Sequence, residues 1–166
     1  NPSMKCGKQL QEVLQQHTLL NVIDQKKTIY EVLKEVQLTD TSRILSSYPH
    51  QLSGGQKQRI MIAMALLCKP KLLIADEPTT ALDVTVQKEI IQLLKNLQKK
   101  YQMSILFISH DLTLVRQLAD KVWVMYQGEI VEEGNTETLF KKPKHPYTQG
   151  LLFARPKTNV RLDRLP

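Results

Sequence analysis

Apolar residues along the first third of the chain recur at helical spacing. Between Lys8 and Leu20 they are Leu10, Val13, Leu14 and Leu20, and between Thr28 and Leu38 the pattern returns in Ile29, Val32, Leu33 and Val36. Tyr48-Pro49 breaks it, because the residue before a proline is pushed away from the α region. Residues 1–50 therefore read as a small, polar-faced helical bundle. Beyond them the pattern changes. Gln56 to Leu67 is a helix rich in Ile, Met, Ala and Leu that Pro70 stops. An apolar strand over Lys71–Ala75, a helix over Val84–Tyr101 and a second apolar strand over Ser104–Ser109 follow. A short helix over Leu112–Ala119 leads to two strands, Val122–Tyr126 and Glu129–Glu133, around a hairpin-like turn at Gln127-Gly128. Strands alternating with helices predict an α/β fold with a mostly parallel sheet and an antiparallel piece at its end. Internal repeats and low-complexity tracts are absent from the sequence.

Composition changes this picture little. At 166 residues the chain is about one domain long, enough to bury roughly 70% of its unfolded surface. Its 42% hydrophobic and 23% charged residues are ordinary for a globular protein. The net charge of +7 suits an acidic partner, whether nucleic acid, a membrane surface or ATP. The basic residues are scattered, however. The densest groups, Lys99-Lys100 and Lys141-Lys142 with Lys144, read as solvated helix ends and a loop rather than a nucleic-acid patch. Cys6 and Cys68 form no CxxC pair, which argues against a metal site and fits a reducing cytosol. Cys68 ends an apolar run and is expected in the core. No apolar run approaches the ~18 residues of a membrane span. The opening Asn1-Pro2-Ser3 is loop-like, without signal peptide or initiator Met, and suggests a chain that begins mid-domain.

Three places carry candidate chemistry. Leu52-Ser53-Gly54-Gly55-Gln56 stands directly before a helix. Ser53 is a good N-cap, the two glycines permit a phosphate to approach the backbone, and the free N–H groups of a helix start favour an anion. The plain alternative is a cap with a flexible entry. Leu72-Leu73-Ile74-Ala75-Asp76-Glu77 is an apolar strand ending in two carboxylates. At such an edge Asp76 offers a hard oxygen ligand for Mg²⁺, and Glu77 can orient and deprotonate a water. Here the alternative is a strand that ends in solvated acids. Leu106 to Asp111 repeats the design, with His110 projecting beyond a strand end, able to hydrogen-bond a phosphate oxygen. His17, His50 and His145 read as structural.

The order of these features resembles the ATP-binding-cassette (ABC) ATPases. Residues 52–56 match the family's signature motif, 72–77 its Walker B strand and catalytic Glu, Thr80-Ala81-Leu82-Asp83 its D-loop, and His110 its switch histidine. Asn1-Pro2 with Gly7-Lys8-Gln9 looks like the segment after the family's Q-loop. Val124 to Gly134 and the box His145-Pro146-Tyr147-Thr148 with Leu151-Leu152 are similar to the oligopeptide, dipeptide and nickel importers. The resemblance covers nearly the whole chain. It implies a partial RecA-like P-loop NTPase core, with residues 1–50 a helical subdomain, 51–134 the C-terminal part of the ATPase core and 135–166 a helical extension of the peptide-importer type. It implies ATP and Mg²⁺ as ligands, with Asp76 on the metal, Glu77 activating water and His110 at the γ-phosphate. Ser53, Gly54, Gly55 and Gln56 would contact the nucleotide of a second cassette in a head-to-tail homo- or heterodimer, and Asp83 would couple the two sites. The expected partners are that second ATPase subunit and transmembrane permease subunits, without nucleic acid, at the cytoplasmic face of the membrane. One departure stands out: these 166 residues contain no G-x-x-x-x-G-K-[ST] loop, whose backbone nest and Lys cradle phosphates. By itself the chain is therefore expected to be inactive. Two other readings stay open: a truncated cassette that only binds partners, and a soluble ABC ATPase outside transport.

Overall fold

A computed structural model of the chain describes residues 1–154. They fall into two compact units, Asn1–Ile108 and a second that begins at Ser109.

The first unit opens with helices α1 (Cys6–His17), α2 (Val22–Glu35) and α3 (Thr41–Ser46), then a single 3₁₀ turn over Pro49–Gln51. Leu10, Leu14, Leu33, Val36 and Ile44 from this segment are almost wholly buried, so its apolar stripes face inward as the spacing predicts. Asn21 and Asp40 cap α2 and α3, accepting the N–H groups of Asp24 and Arg43. Helix α4 (Gly54–Leu66), strand β1 (Leu72–Asp76), helix α5 (Val84–Tyr101) and strand β2 (Ser104–Ile108) complete the unit. Ile90, Ile91, Leu93, Leu94 and Leu97 make the buried face of α5. The C-terminal end of α2 is clamped from α5: Glu35 accepts the Tyr101 hydroxyl, and its other oxygen pairs with Lys100 at 2.8 Å. Burial, with the Glu35 carboxylate beside it, pushes the Tyr101 phenol well above its ordinary range.

β1 and β2 pair in parallel, Leu72 against Ser104 through Asp76 against Ile108. Leu73 and Ala75 point into the core, whereas Leu72 and Ile74, two residues apart on the other face, are 52% and 61% exposed. Cys68, expected in the core, is exposed. Helix α4 ends at Leu66, and the chain turns through Lys69 with a left-handed φ of 47°. Helical spacing already sets residue 68 apart from the buried stripe of Ile62, Ala63 and Leu66, on the outer face seven residues after exposed Met61.

The second unit holds helix α6 (Leu112–Leu118), strands β3 (Lys121–Tyr126) and β4 (Glu129–Asn135), and helices α7 (Thr136–Lys141) and α8 (Pro146–Phe153). β3 and β4 form an antiparallel hairpin with a register shift between Val124 and Met125. Its two turn residues, Gln127 and Gly128, have φ of 50° and 88°, the mirror-image turn that matches the strands' twist. The strands of the described residues thus make one parallel and one antiparallel pair. The His-Pro-Tyr-Thr box starts α8. His145 Nδ1 caps the helix by accepting the Tyr147 N–H at 3.2 Å, Pro146 takes the first turn, and the Tyr147 ring lies 4.3 Å from that of Tyr126. Glu132 anchors the approach to the box, its carboxylate accepting the N–H groups of Lys144 at 2.8 Å and His145 at 3.0 Å. Residues 155–166 of the expected C-terminal extension lie outside the described residues.

Candidate functional site

Helix α4 starts with a reciprocal capping box. Ser53 Oγ accepts the Gln56 N–H at 3.2 Å, and Gln56 Oε1 accepts the Ser53 N–H at 3.2 Å. The hydroxyl acts here as acceptor, so its own proton stays available for an acceptor outside the helix. The N–H groups of Gly54 and Gly55, in the first turn, have no carbonyl one turn earlier to bond and lie at the positive end of the helix. The glycines also serve a purpose that sequence reasoning missed. A Cβ on Gly54 would sit 3.0 Å from Leu82 Cδ2, and one on Gly55 would sit 2.9 Å from Val86 Cγ1. Two residues without side chains let the start of α4 press against the start of α5. Between those two contacts lies Asp83, exposed, capping α5 by accepting the Val86 N–H at 2.9 Å.

The paired carboxylates stand at the end of β1. Asp76 is exposed and on the same face as Leu72 and Ile74. Glu77, half-buried, turns the chain with a left-handed φ of 45°. Its N–H donates to Ile108 O at 2.9 Å, which extends the ladder one step past the end of β1. Its Oε2 accepts the Thr80 hydroxyl at 2.8 Å. Ala81 is also left-handed, at 63°, so the loop from 77 to 83 holds two non-glycine residues in a costly conformation. Buried Pro78 and Thr79 hold it down, and Gln87 of α5 donates to Thr79 O at 3.2 Å. Among the described residues no group of three or more His, Cys, Asp or Glu side chains could hold a metal unaided. Asp76 fits the way Mg²⁺ is usually held, by one or two carboxylates with waters and phosphate oxygens making up the rest.

His110 follows β2 at an exposed bend in the second unit. The next residue, Asp111, caps α6 by accepting the N–H groups of Thr113 at 2.7 Å and Leu114 at 3.4 Å, and Ser109 Oγ accepts the Asp111 N–H at 3.1 Å. The first unit therefore gathers 52–56 against Leu82 and Val86, and joins Glu77 to Thr80, while His110 belongs to the other unit. Sequence reasoning also missed Arg59. It is 8% exposed, and the signal was legible: helical spacing puts 59 on the same stripe as Ala63 and Leu66, where a charge needs partners.

Comparison with known proteins bears on the whole chain. The ABC transporter family profile matches residues 2–80, and that of the oligopeptide/dipeptide transporter C-terminal region matches residues 131–166. The oligopeptide transport ATP-binding protein OppD of Bacillus subtilis is 52% identical over 94% of this chain and 44% of its own length. The dipeptide transport ATP-binding protein DppD of Haemophilus influenzae is 52% identical over 95% of this chain and 48% of its own. Among solved structures, a bacterial ABC transporter cassette, MJ0796, solved as a dimer, superposes with a TM-score of 0.70 at 28% identity, covering 82% of this chain and 58% of that one. The chain spans about half the length of the curated relatives it matches. With the two profiles matched in order along it, the chain belongs to the ABC transporter family, in the group that carries the oligopeptide/dipeptide transporter C-terminal region.

Proposed function

We propose that this chain is part of the ATP-hydrolysing subunit of an ABC importer for peptides or a similar small solute. The observation that carries the reading is Glu77 at the end of β1 beside Asp76, its backbone N–H held by Ile108 O and its carboxylate accepting the Thr80 hydroxyl. In hydrolysis a water attacks the γ-phosphorus of ATP as the bond to the β,γ-bridging oxygen breaks, and the water's proton passes to Glu77. General-base help of this kind contributes roughly 10²–10⁴ in rate. Mg²⁺, held through Asp76 and its hydration waters, supplies charge neutralisation at the phosphates. His110 donates to a γ-phosphate oxygen. Ser53 and the amides of Gly54 and Gly55 close over the nucleotide of a second cassette, with Gln56 fixing Ser53 through the capping box, and Asp83 links the two composite sites. Residues 1–50 form the helical subdomain that meets the permease subunits, 51–134 belong to the ATPase core, and 135–166 are the peptide-importer extension. The subunit then works at the cytoplasmic face of a membrane. Among the described residues no helix is long and apolar enough to cross one. Support for a peptide-type solute comes from the similarity to the oligopeptide transport protein OppD and the dipeptide transport protein DppD and from the matched C-terminal region.

The test is Glu77→Gln in the full-length polypeptide. The amide keeps the shape and loses the base, so turnover should fall at least about 100-fold while ATP binding persists. Near-normal turnover would remove Glu77 from the role.

A further inference from the structure

Arg59 is a charged side chain on the buried stripe of α4, and its guanidinium reaches three acceptors on two other elements. Nη1 donates to Val36 O at 3.0 Å and to Gln37 Oε1 at 2.8 Å, both at the C-terminal end of α2, and Nη2 pairs with Glu89 Oε2 of α5 at 2.9 Å. Gln37 itself is left-handed, with φ of 61°, so the side chain that receives Arg59 sits on a backbone turn held out of its relaxed conformation. Four residues earlier on α4, Gly55 meets Val86, which lies three residues before Glu89 on α5. Steps of four on one helix and three on the other keep each pair on one face. The two helices are therefore pinned at two successive points, one steric and one ionic. The planar fork of an arginine can serve three acceptors in fixed directions, which a lysine cannot. A charge this deeply buried is tolerated because Glu89 pairs with it and Val36 O and Gln37 Oε1 accept from it.

We propose that Arg59 is a positioning residue: by tying α4 to α5 and to the end of α2, it presents Ser53–Gln56 and Asp83 to the partner cassette as one preset surface. The inference rests on the reading that residues 52–56 act across a dimer. Without Arg59 the start of α4 would keep its capping box and its glycines, but its direction relative to α5 would rest on the Gly55–Val86 contact alone. ATP binding within the subunit should not change, whereas closure of two subunits over ATP should.

The experiment uses the full-length polypeptide, in a Glu77→Gln background so that ATP is held rather than hydrolysed. Arg59→Met fills the volume without donors, and Arg59→Lys keeps the charge but loses the planar fork. Thermal unfolding fixes the midpoint of each variant, and ATP affinity of the separated subunits and ATP-driven dimerisation by sedimentation are compared well below it. Expected are ATP affinity within twofold of the parent, dimerisation weakened at least tenfold in Arg59→Met, and an intermediate loss in Arg59→Lys. A folded Arg59→Met that dimerises as well as its parent overturns the positioning role and leaves Arg59 a packing residue. A parent that never dimerises with ATP overturns the trans reading first, and the positioning role with it. Should Arg59→Met fail to fold, Glu89→Gln decides, since Glu89 is more than half exposed. A threefold or larger loss of dimerisation at unchanged unfolding temperature supports the proposal, and no loss overturns it.

Discussion

Gly55 shows how one residue answers two demands. A phosphate approaching the first turn of α4 and the Val86 side chain packed on that turn both need the Cβ to be missing. Val86 is β-branched and held in a single rotamer well, so it cannot swing away from a new methyl 2.9 Å from its Cγ1. Alanine is the better helix former by about 1 kcal/mol, but overpacking costs about 1–3 kcal/mol. Gly55→Ala should therefore destabilise the chain by about 1 kcal/mol in urea titration, and adding Val86→Ala should restore most of that loss. A Gly55→Ala chain as stable as its parent would mean that the close approach is not tight. Gly54 differs, because it faces the far end of a leucine, Leu82 Cδ2 at 3.0 Å, which can turn aside. From the sequence alone the glycines suggested anion approach. The packing reason was invisible there, because it depends on which residue of α5 arrives opposite.

The elements with strong periodicity or firm stops were legible: α5 runs from Val84 to Tyr101 as its spacing predicts, and the two-residue hairpin turn sits at Gln127-Gly128. The six-residue helices α3 and α7 were not, since each buries too few side chains to display a period: Ile44 in the one, Thr136 and Leu139 in the other. Asp40 before Thr41 was a usable capping signal for α3. The His-Pro-Tyr-Thr box was legible as a marker, but its local role depends on Glu132, a residue without any motif. Taking Glu132 partly out of water raises its pKa, yet the Lys144 N–H, the Thr148 hydroxyl and the His145 N–H together outweigh that and hold the carboxyl below its ordinary value. With a depressed folded-state pKa, its contribution to stability is present above the unfolded carboxylate value, near 4.3, and is lost as pH falls below it. Glu132→Gln removes one acceptor oxygen and points an amide at a backbone N–H. Limited trypsin digestion at Lys141 and Lys144 should then quicken several-fold at pH 7, and the parent's lead over this variant in urea titration should fade only as the pH drops below about 4. Equal digestion rates at pH 7 would show that the carboxylate does not hold the α7–α8 connection.

At the scale of the molecule, the apolar strands and the carboxylates at their ends were readable from sequence, whereas the open face of the sheet was not, because a strand apolar on both sides predicts burial on both. Leu72, Ile74 and Ile108, the last 45% exposed, leave that side of β1 and β2 facing solvent in this chain. The chain should therefore bind the dye ANS, and Ile74→Thr should lower that fluorescence while shifting the urea midpoint by no more than the ~0.5 kcal/mol typical of a surface site. Equal fluorescence from both chains would place the dye elsewhere. ATP affinity follows from an inventory of parts. These 166 residues carry a capped helix start, Asp76 with Glu77, and an exposed histidine, but no glycine-rich loop ending in Gly-Lys-Ser or Gly-Lys-Thr. Gly7-Lys8 does not substitute for it: Gln9 follows, Pro2 stands where the first glycine would be, and a Cβ at Gly7 would lie 2.8 Å from Leu45 O, so that glycine serves the packing of α1 on α3. A micromolar dissociation constant requires about −8 kcal/mol, and for a triphosphate most of it comes from a backbone nest and a lysine around the phosphates. Calorimetric titration of this chain with MgATP should give a dissociation constant of at least about 1 mM, equivalent to about −4 kcal/mol. A polypeptide that adds such a loop to these residues should bind at least tenfold more tightly. A micromolar constant for the chain alone would mean that Ser53–Gln56 and Asp76 grip nucleotide in cis, and their assignment to a partner's ATP would fall.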